Sequence, residues 1–290
     1  MKKIIFLTII FLQISLAAQE KIYNMTNKQI DSLLTVTATR NMTITERMNF
    51  YSEMFLKMPY NLTCTGDGPY ALYETEPLVN FKQTNCMVFC EHVLALSISD
   101  SWDNFFNNLQ QIRYKDGIIG MRTRNHYTMV DWLPENNWLL HDITKIIGGE
   151  KAKSLTRTIS HKKFFVDKKI KDMRYVKPDR TVTIDFISFT ELQNIKSKLK
   201  AGDIFSLIFA NKDDIFSAHM LMIMEKSGKL VVRESALTPK TTLDTPFDEW
   251  VKKFLNSKNY CGVSFMRVND HLNTPGKIIL PWEIQELKKK

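Results

Sequence analysis

The sequence changes its apolar period once, at Thr181, and that change limits the folds open to it. Up to that point apolar residues recur three and four apart, as one face of a helix requires. Ile30, Leu33 and Leu34 mark a helix over 27–38. Thr43 and Glu46 form a capping box for a second, whose stripe of Tyr51, Met54, Phe55 and Met58 is stopped by Pro59. Residues 61–84 form a loop with room for one short strand. Asp100 or Ser101 caps a further helix that turns Trp102, Phe105, Phe106, Leu109 and Ile112 inward. Beyond Thr181, short alternating runs predict strands over 181–189, 204–209, 217–225, 230–236 and 262–268. Helices are expected over 191–199 and 247–255. Helices first and antiparallel strands later define an α+β fold, a helical N-terminal part packed on an antiparallel sheet. With 290 residues, 44% hydrophobic and 24% charged, the chain can bury a full core, and its composition argues against disorder.

The stretch Asn85-Cys86-Met87-Val88-Phe89-Cys90 opens the third helix. Asn85 suits an N-cap, since its side-chain oxygen satisfies a free N–H of the first turn. Cys86 is then the first helical residue, where unpaired N–H groups and the helix dipole favour a thiolate over a thiol of ordinary pKa, about 8.5. The plainer reading is a core thiol, because Cys86, Phe89, Cys90 and Val93 share one helical face. Far downstream, His219 stands inside the strand expected over 217–225. A strand histidine alone is more commonly a packed core residue, but with a helix-start cysteine it makes a nucleophile and its base.

Strand parity supplies a third member. If Lys226 to Lys229 closes a symmetric hairpin, His219 stands opposite Ala236, and Ala236 and Glu234 share its face while Arg233 and Ser235 point away. Glu234 is then its diagonal neighbour, roughly 7–8 Å away between backbones and within reach of a long side chain. A carboxylate there would fix the imidazole tautomer and stabilise the imidazolium. Its plainer role is a pairing with a nearby lysine or arginine.

Residues 1–18 have the pattern of a secretory leader: Lys2 and Lys3, an apolar run from Ile4 to Leu16, and Ser15-Leu16-Ala17 as a small-x-small cleavage site. No later stretch is long and apolar enough to span a membrane, so an exported protein, periplasmic or secreted, is expected. The formal net charge is +9, and removing the leader's two lysines leaves +7. Without a basic groove motif this charge does not point to nucleic acid, and a solvated surface or an anionic polymer suits it better. Four cysteines in an exported chain invite disulfides; Cys64 and Cys261 are candidates to pair, whereas Cys86 and Cys90, one helical turn apart, are badly placed. Zinc binding by Cys86, Cys90 and His92 is disfavoured, because His92 lies on another helix face.

From Asp116 an irregular region holds Arg124-Asn125-His126-Tyr127 and Asp131-Trp132. Long loops dense in such residues commonly carry binding groups. The basic stretch 145–177 is expected to be an insertion or lid.

Taken in order, Gly68-Pro69-Tyr70, Val79-Asn80, Asn85-Cys86, Phe89, Glu91 and Leu94-Ala95-Leu96 resemble the NlpC-type cell-wall cysteine amidases, in their N-acetylmuramoyl-L-alanine amidase-like branch. Ile112-Arg113-Tyr114-Lys115-Asp116-Gly117, His126-Tyr127, Asp131-Trp132, Asp142-Ile143-Thr144 and Gly202-Asp203-Ile204 extend the likeness over residues 60–268. Asn85, Val88, Cys90 and Leu221 depart from that pattern, Leu221 in a way that would crowd the site, and Glu234 stands where histidine is common. The resemblance implies a papain-like fold in a single catalytic domain over 19–290, made of a helical part (19–59), a core (60–268) and a C-terminal tail (269–290). It implies hydrolysis of the N-acetylmuramoyl-L-alanine amide of peptidoglycan, with Cys86 and His219 catalytic and no metal or cofactor. Tyr70 becomes a candidate for oxyanion stabilisation, and Arg124, His126, Asp131 and Trp132 for holding sugar or peptide. Rival readings are a γ-D-glutamyl peptidase and a catalytically weak wall-binding protein.

Overall fold

The computed structural model describes residues 20–289, so the expected leader lies outside the described residues. Four helices precede most of the sheet: α1 (Asn27–Ala38), α2 (Ile44–Met54), α3 (Cys86–Ser97) and α4 (Trp102–Arg113). Their starts follow the capping chemistry. Thr43 accepts from Glu46 N–H while its own N–H donates to the Glu46 carboxylate at 2.7 Å, and Ser101 caps α4. A second capping box, from Thr26 and Gln29, opens α1. Helix α2 closes at Met54, five residues before the expected stop at Pro59. Lys57 then turns into the left-handed region (φ 72), while Phe55 and Met58 stay in the core.

The remainder is one eight-stranded sheet in which every pairing is antiparallel. Its strands are β1 (Leu140–Asp142), β2 (Ala152–Ile159), β3 (Arg180–Ile187), β4 (Ile204–Phe209), β5 (Ser217–Lys226), β6 (Lys229–Ala236), β7 (Thr241–Pro246) and β8 (Tyr260–Val268), in the order β2-β3-β8-β4-β5-β6-β7 with β1 on β8. Three of these strands carry no clear sequence signal. β2 lies in the stretch expected to be an insertion; it is an edge strand whose outer face is polar, with the Thr156–Thr183 hydroxyls 2.8 Å apart and Thr158–Thr181 at 3.0 Å. β7, the other edge, is a polar run ending in proline, a residue sheets tolerate at their margins. β1 is three residues long.

The sheet separates two apolar clusters. On one side α1–α4 pack with Met220, Met222 and Met224 of β5. On the other, Leu221, Ile223, Phe205 and Val232 meet Trp250 and Phe247 of the helix Phe247–Phe254. Leu221 is therefore taken up by this second core. The C-terminal residues clamp the helical layer: the buried Arg47 guanidinium donates to the carbonyls of Ser97, Met42 and Lys277, and Asn108 donates to the Ile279 carbonyl at 2.8 Å. The four cysteines are free, contrary to the pairing expected of Cys64 and Cys261. Cys64 sits beside the Asn85 amide (3.7 Å), whereas Cys261 lies on β8 against the Ile208 and Phe209 carbonyls. Among the described residues no helix is long and apolar enough to cross a membrane.

Candidate active site

Asn85 caps α3 as its sequence predicts, its side chain accepting from Val88 N–H at 2.9 Å. Its amide nitrogen donates to the Leu62 carbonyl, tying the preceding loop to the helix start. Cys86 is the first helical residue and half-buried. Burial alone would push its thiol up. The neighbouring His219 charge and hydrogen bond, with the Met220 and Met87 backbone N–H groups, outweigh that and leave it below the ordinary thiol range. Cys90, one turn on, is fully buried and held well above its normal range by burial, then by Cys86 and Glu91. Of these two thiols, only the first has its ionisation favoured by its surroundings.

The hairpin closes as parity requires. Lys226 pairs with Lys229 and Met222 with Arg233, across Ser227 and Gly228, both at positive φ. Arg233 turns toward α2, where it donates to Ser52, while Glu234 lies on the other face and accepts from His219 Nε2 at 2.8 Å. With Nε2 taken, the Nδ1 edge is left for the Cys86 sulfur. Burial disfavours the His219 charge, but Cys86 and Glu234 together raise its pKa to about 10. His219 thus stands between the two, hydrogen-bonded to Glu234 and acting with its charge on the Cys86 thiol. A bulge helps to aim it: Leu207 pairs with His219 and Ile208 with Ser217, so Ala218 is skipped immediately before the histidine.

The other candidate residues do not join these three. The Trp132 side chain is wholly buried in the helical core. Asp131 accepts from His161 (2.7 Å), Lys177 (2.9 Å) and Arg180 (2.7 Å) and is buried beneath them. Arg124 is held by Asp67 and Glu74. His126 bonds the Met121 carbonyl at 2.6 Å and packs on Phe164, and burial lowers its pKa to about 4. Arg124, His126 and Asp131 are held in the framework by internal partners, and Trp132 by burial. Tyr70 is 98% exposed on the rim of a groove that Cys86 does not line.

Asp131 carries a direct consequence. Its partners hold the carboxyl far below the ordinary range despite burial, so its stabilisation is present above the unfolded pKa of about 4 and lost as pH falls below it. Asp131→Asn should destabilise the protein by about 3–5 kcal/mol in chemical denaturation, because Lys177 and Arg180 lose their counter-ion and His161 its carboxylate acceptor. A loss below ~1 kcal/mol would contradict this framework role.

One residue that sequence reasoning passed over reaches the site. Tyr60 is half-buried and pinned at the backbone, bonding Lys240 (2.9 Å) and bridging to Thr84, next to the Asn85 cap. Burial first, then Cys86 and Cys64, push its pKa up to about 12, so the phenol keeps its proton. Its hydroxyl makes no hydrogen bond among the described residues. The only sequence signal was its place just after the Pro59 stop. The family-like residues behind the site have a shared task. Arg113 pairs with Glu91 of α3 (3.2 Å) and holds the Leu78 carbonyl (2.7 Å), and Tyr114 donates to Asp67 (2.7 Å). They lock the 65–78 loop against the helix that carries Cys86.

The fold and site define an α+β protein with a helix-start thiol opposed by a strand histidine and its carboxylate. The family model described as AmiA-like, N-acetylmuramoyl-L-alanine amidase-like, matches residues 50–256, and the chain belongs to that family of amidase-like proteins. No curated protein matches it. Among solved structures, a Legionella pneumophila protein of the DUF1460 type has a TM-score of 0.78 at 21% identity, covering 90% of this chain and 98% of that one. An N-acetylmuramoyl-L-alanine amidase from Bacteroides uniformis gives 0.60 at 23% identity, covering 78% and 99%. A Bacteroides fragilis protein provisionally named a xylanase gives 0.59 at 21%, covering 74% and 98%. At these identities the structural likeness speaks for the fold.

Proposed function

We propose that the protein is an exported cysteine amidase, a single papain-like domain of NlpC type. It would hydrolyse the amide between the lactyl group of N-acetylmuramic acid and L-alanine in peptidoglycan or its fragments. The observation that carries the mechanism is the Cys86–His219–Glu234 chain; the family supplies the bond. The Cys86 thiolate attacks the lactyl carbonyl, and the oxyanion is met by backbone N–H groups at the start of α3 and by the Tyr60 hydroxyl. The His219 imidazolium gives its proton to the departing alanine nitrogen. Water, deprotonated by the now neutral His219, then cleaves the thioester and frees Cys86. Tyr60 takes the oxyanion role expected of Tyr70, since its backbone is bridged to Thr84, next to the Asn85 cap of α3.

Mass spectrometry of products from defined muropeptides tests the bond. Release of the intact peptide stem, with L-alanine at its free amine, is the expected result. A stem shortened beyond D-glutamate would assign γ-D-glutamyl peptidase activity instead. No cleavage, with Cys86 alkylated no faster than Cys90, would leave a wall-binding protein.

A further inference from the structure

Away from the Cys86 chain, the loop 67–73, the turn 118–121 and the segment around Phe165 and Ile170 enclose an open groove of about 570 Å³. Its walls are apolar, and several side chains stand proud of it: Tyr70 is 98% exposed, Leu72 90% and Ile118 60%. Val166, beside the lining Phe165, is also exposed. Contiguous exposed apolar surface of this kind marks a place of contact.

The polar side chains of the groove are already occupied. Asp67 accepts from Tyr114 and Arg124, Arg122 donates to the Arg174 carbonyl (2.8 Å) and pairs with Asp172, and Thr123 donates to the Gly120 carbonyl (2.9 Å). Only the tyrosine hydroxyls are left to offer hydrogen bonds. A sugar or a peptide stem, dense in polar groups, would find few partners here; an apolar occupant loses nothing.

The rim supplies a charge. Residues 161–180 hold eight lysines and arginines against three aspartates. Most of these cations are paired, but Lys162, Lys169 and Lys171 are exposed and make no ion pair among the described residues. Lys169 and Lys171 flank the groove residue Ile170, and Lys162 lies three residues before Phe165. Unpaired lysines beside protruding aliphatic and aromatic side chains complement a surface that is anionic outside and apolar beneath.

We propose that this groove and its lysine rim dock the protein on a membrane of anionic phospholipid, with Leu72, Ile118 and Val166 entering the acyl boundary and Lys162, Lys169 and Lys171 meeting the headgroup phosphates. The contact is separate from the Cys86 chain and does not depend on which bond that chain cleaves. It would hold the enzyme at a lipid surface while the site stays open to substrate.

Co-sedimentation of the leader-free chain with vesicles tests it, using phosphatidylcholine alone and phosphatidylcholine with phosphatidylglycerol. Binding to the anionic vesicles should exceed binding to the neutral ones by roughly tenfold or more and weaken at high salt. Leu72→Asp with Ile118→Asp should abolish it. Lys169→Glu with Lys171→Glu should reduce it by roughly tenfold and remove most of the salt dependence. Circular dichroism and thiol alkylation of Cys86 should be unchanged in both variants, showing that the fold and the catalytic chain persist. Equal binding to both vesicles, no binding, or binding that survives both variants would overturn the proposal. So would a dimer in solution that Leu72→Asp with Ile118→Asp dissociates, since the face would then belong to a second copy.

Discussion

Cys86→Ala should abolish the proposed hydrolysis of muropeptides and leave the fold intact, with turnover reduced by at least about 10⁴-fold. The fold survives because the side chain is small, the site is half-buried and alanine favours a helix. Cys90→Ala is the matched control. That thiol is buried one turn deeper and held protonated, so its loss should cost about 1–2 kcal/mol of stability and little activity. Turnover measured on both variants, with circular dichroism to verify folding, decides the assignment. An inactive Cys90→Ala beside an active Cys86→Ala would mean that the nucleophile is the wrong cysteine.

His219→Ala is the second large effect, with turnover again falling by about 10⁴-fold and the Cys86 pKa rising. Burial already pushes the thiol up, and it is the imidazolium that overrides it. Removing that charge leaves burial in command. In the wild type the thiolate–imidazolium pair forms above the lowered Cys86 pKa and persists until pH rises through the raised His219 value of about 10. Alkylation by iodoacetamide should therefore be fast at neutral pH. In His219→Ala it should slow by about tenfold or more at pH 7 and recover only in alkali. Glu234→Gln grades the same chain: it can keep a hydrogen bond to Nε2 but loses the charge, so turnover should fall while KM changes little. Matching alkylation profiles in wild type and His219→Ala would break the pairing. Unchanged turnover in both Glu234→Gln and Glu234→Ala would remove Glu234 from the mechanism.

The sequence by itself determined the local parts. A capping residue acts within one turn, so Asn85, Thr43 and Ser101 announce their helices, and Cys86 is at a helix start whatever packs around it. Alternation acts within one strand, so a symmetric hairpin suffices to bring Glu234 onto the face of His219. Tertiary structure decided what depends on partners distant in the chain. The edge strands β2 and β7 are written in polar residues, because only one face of an edge needs burial, and their identity comes from the strands they pair with. Arg124, His126, Asp131 and Trp132 carry binding chemistry as residue types, yet burial and internal partners turn that chemistry inward. Tyr60 shows the converse: nothing in its neighbours distinguishes it, and it comes next to the Asn85 cap only because its backbone is bridged to Thr84, twenty-four residues on, and bonded to Lys240. Electrostatics obeys the same division. The helix start favours a thiolate locally, but the net lowering of the Cys86 pKa against its own burial requires a histidine from the far side of the sequence.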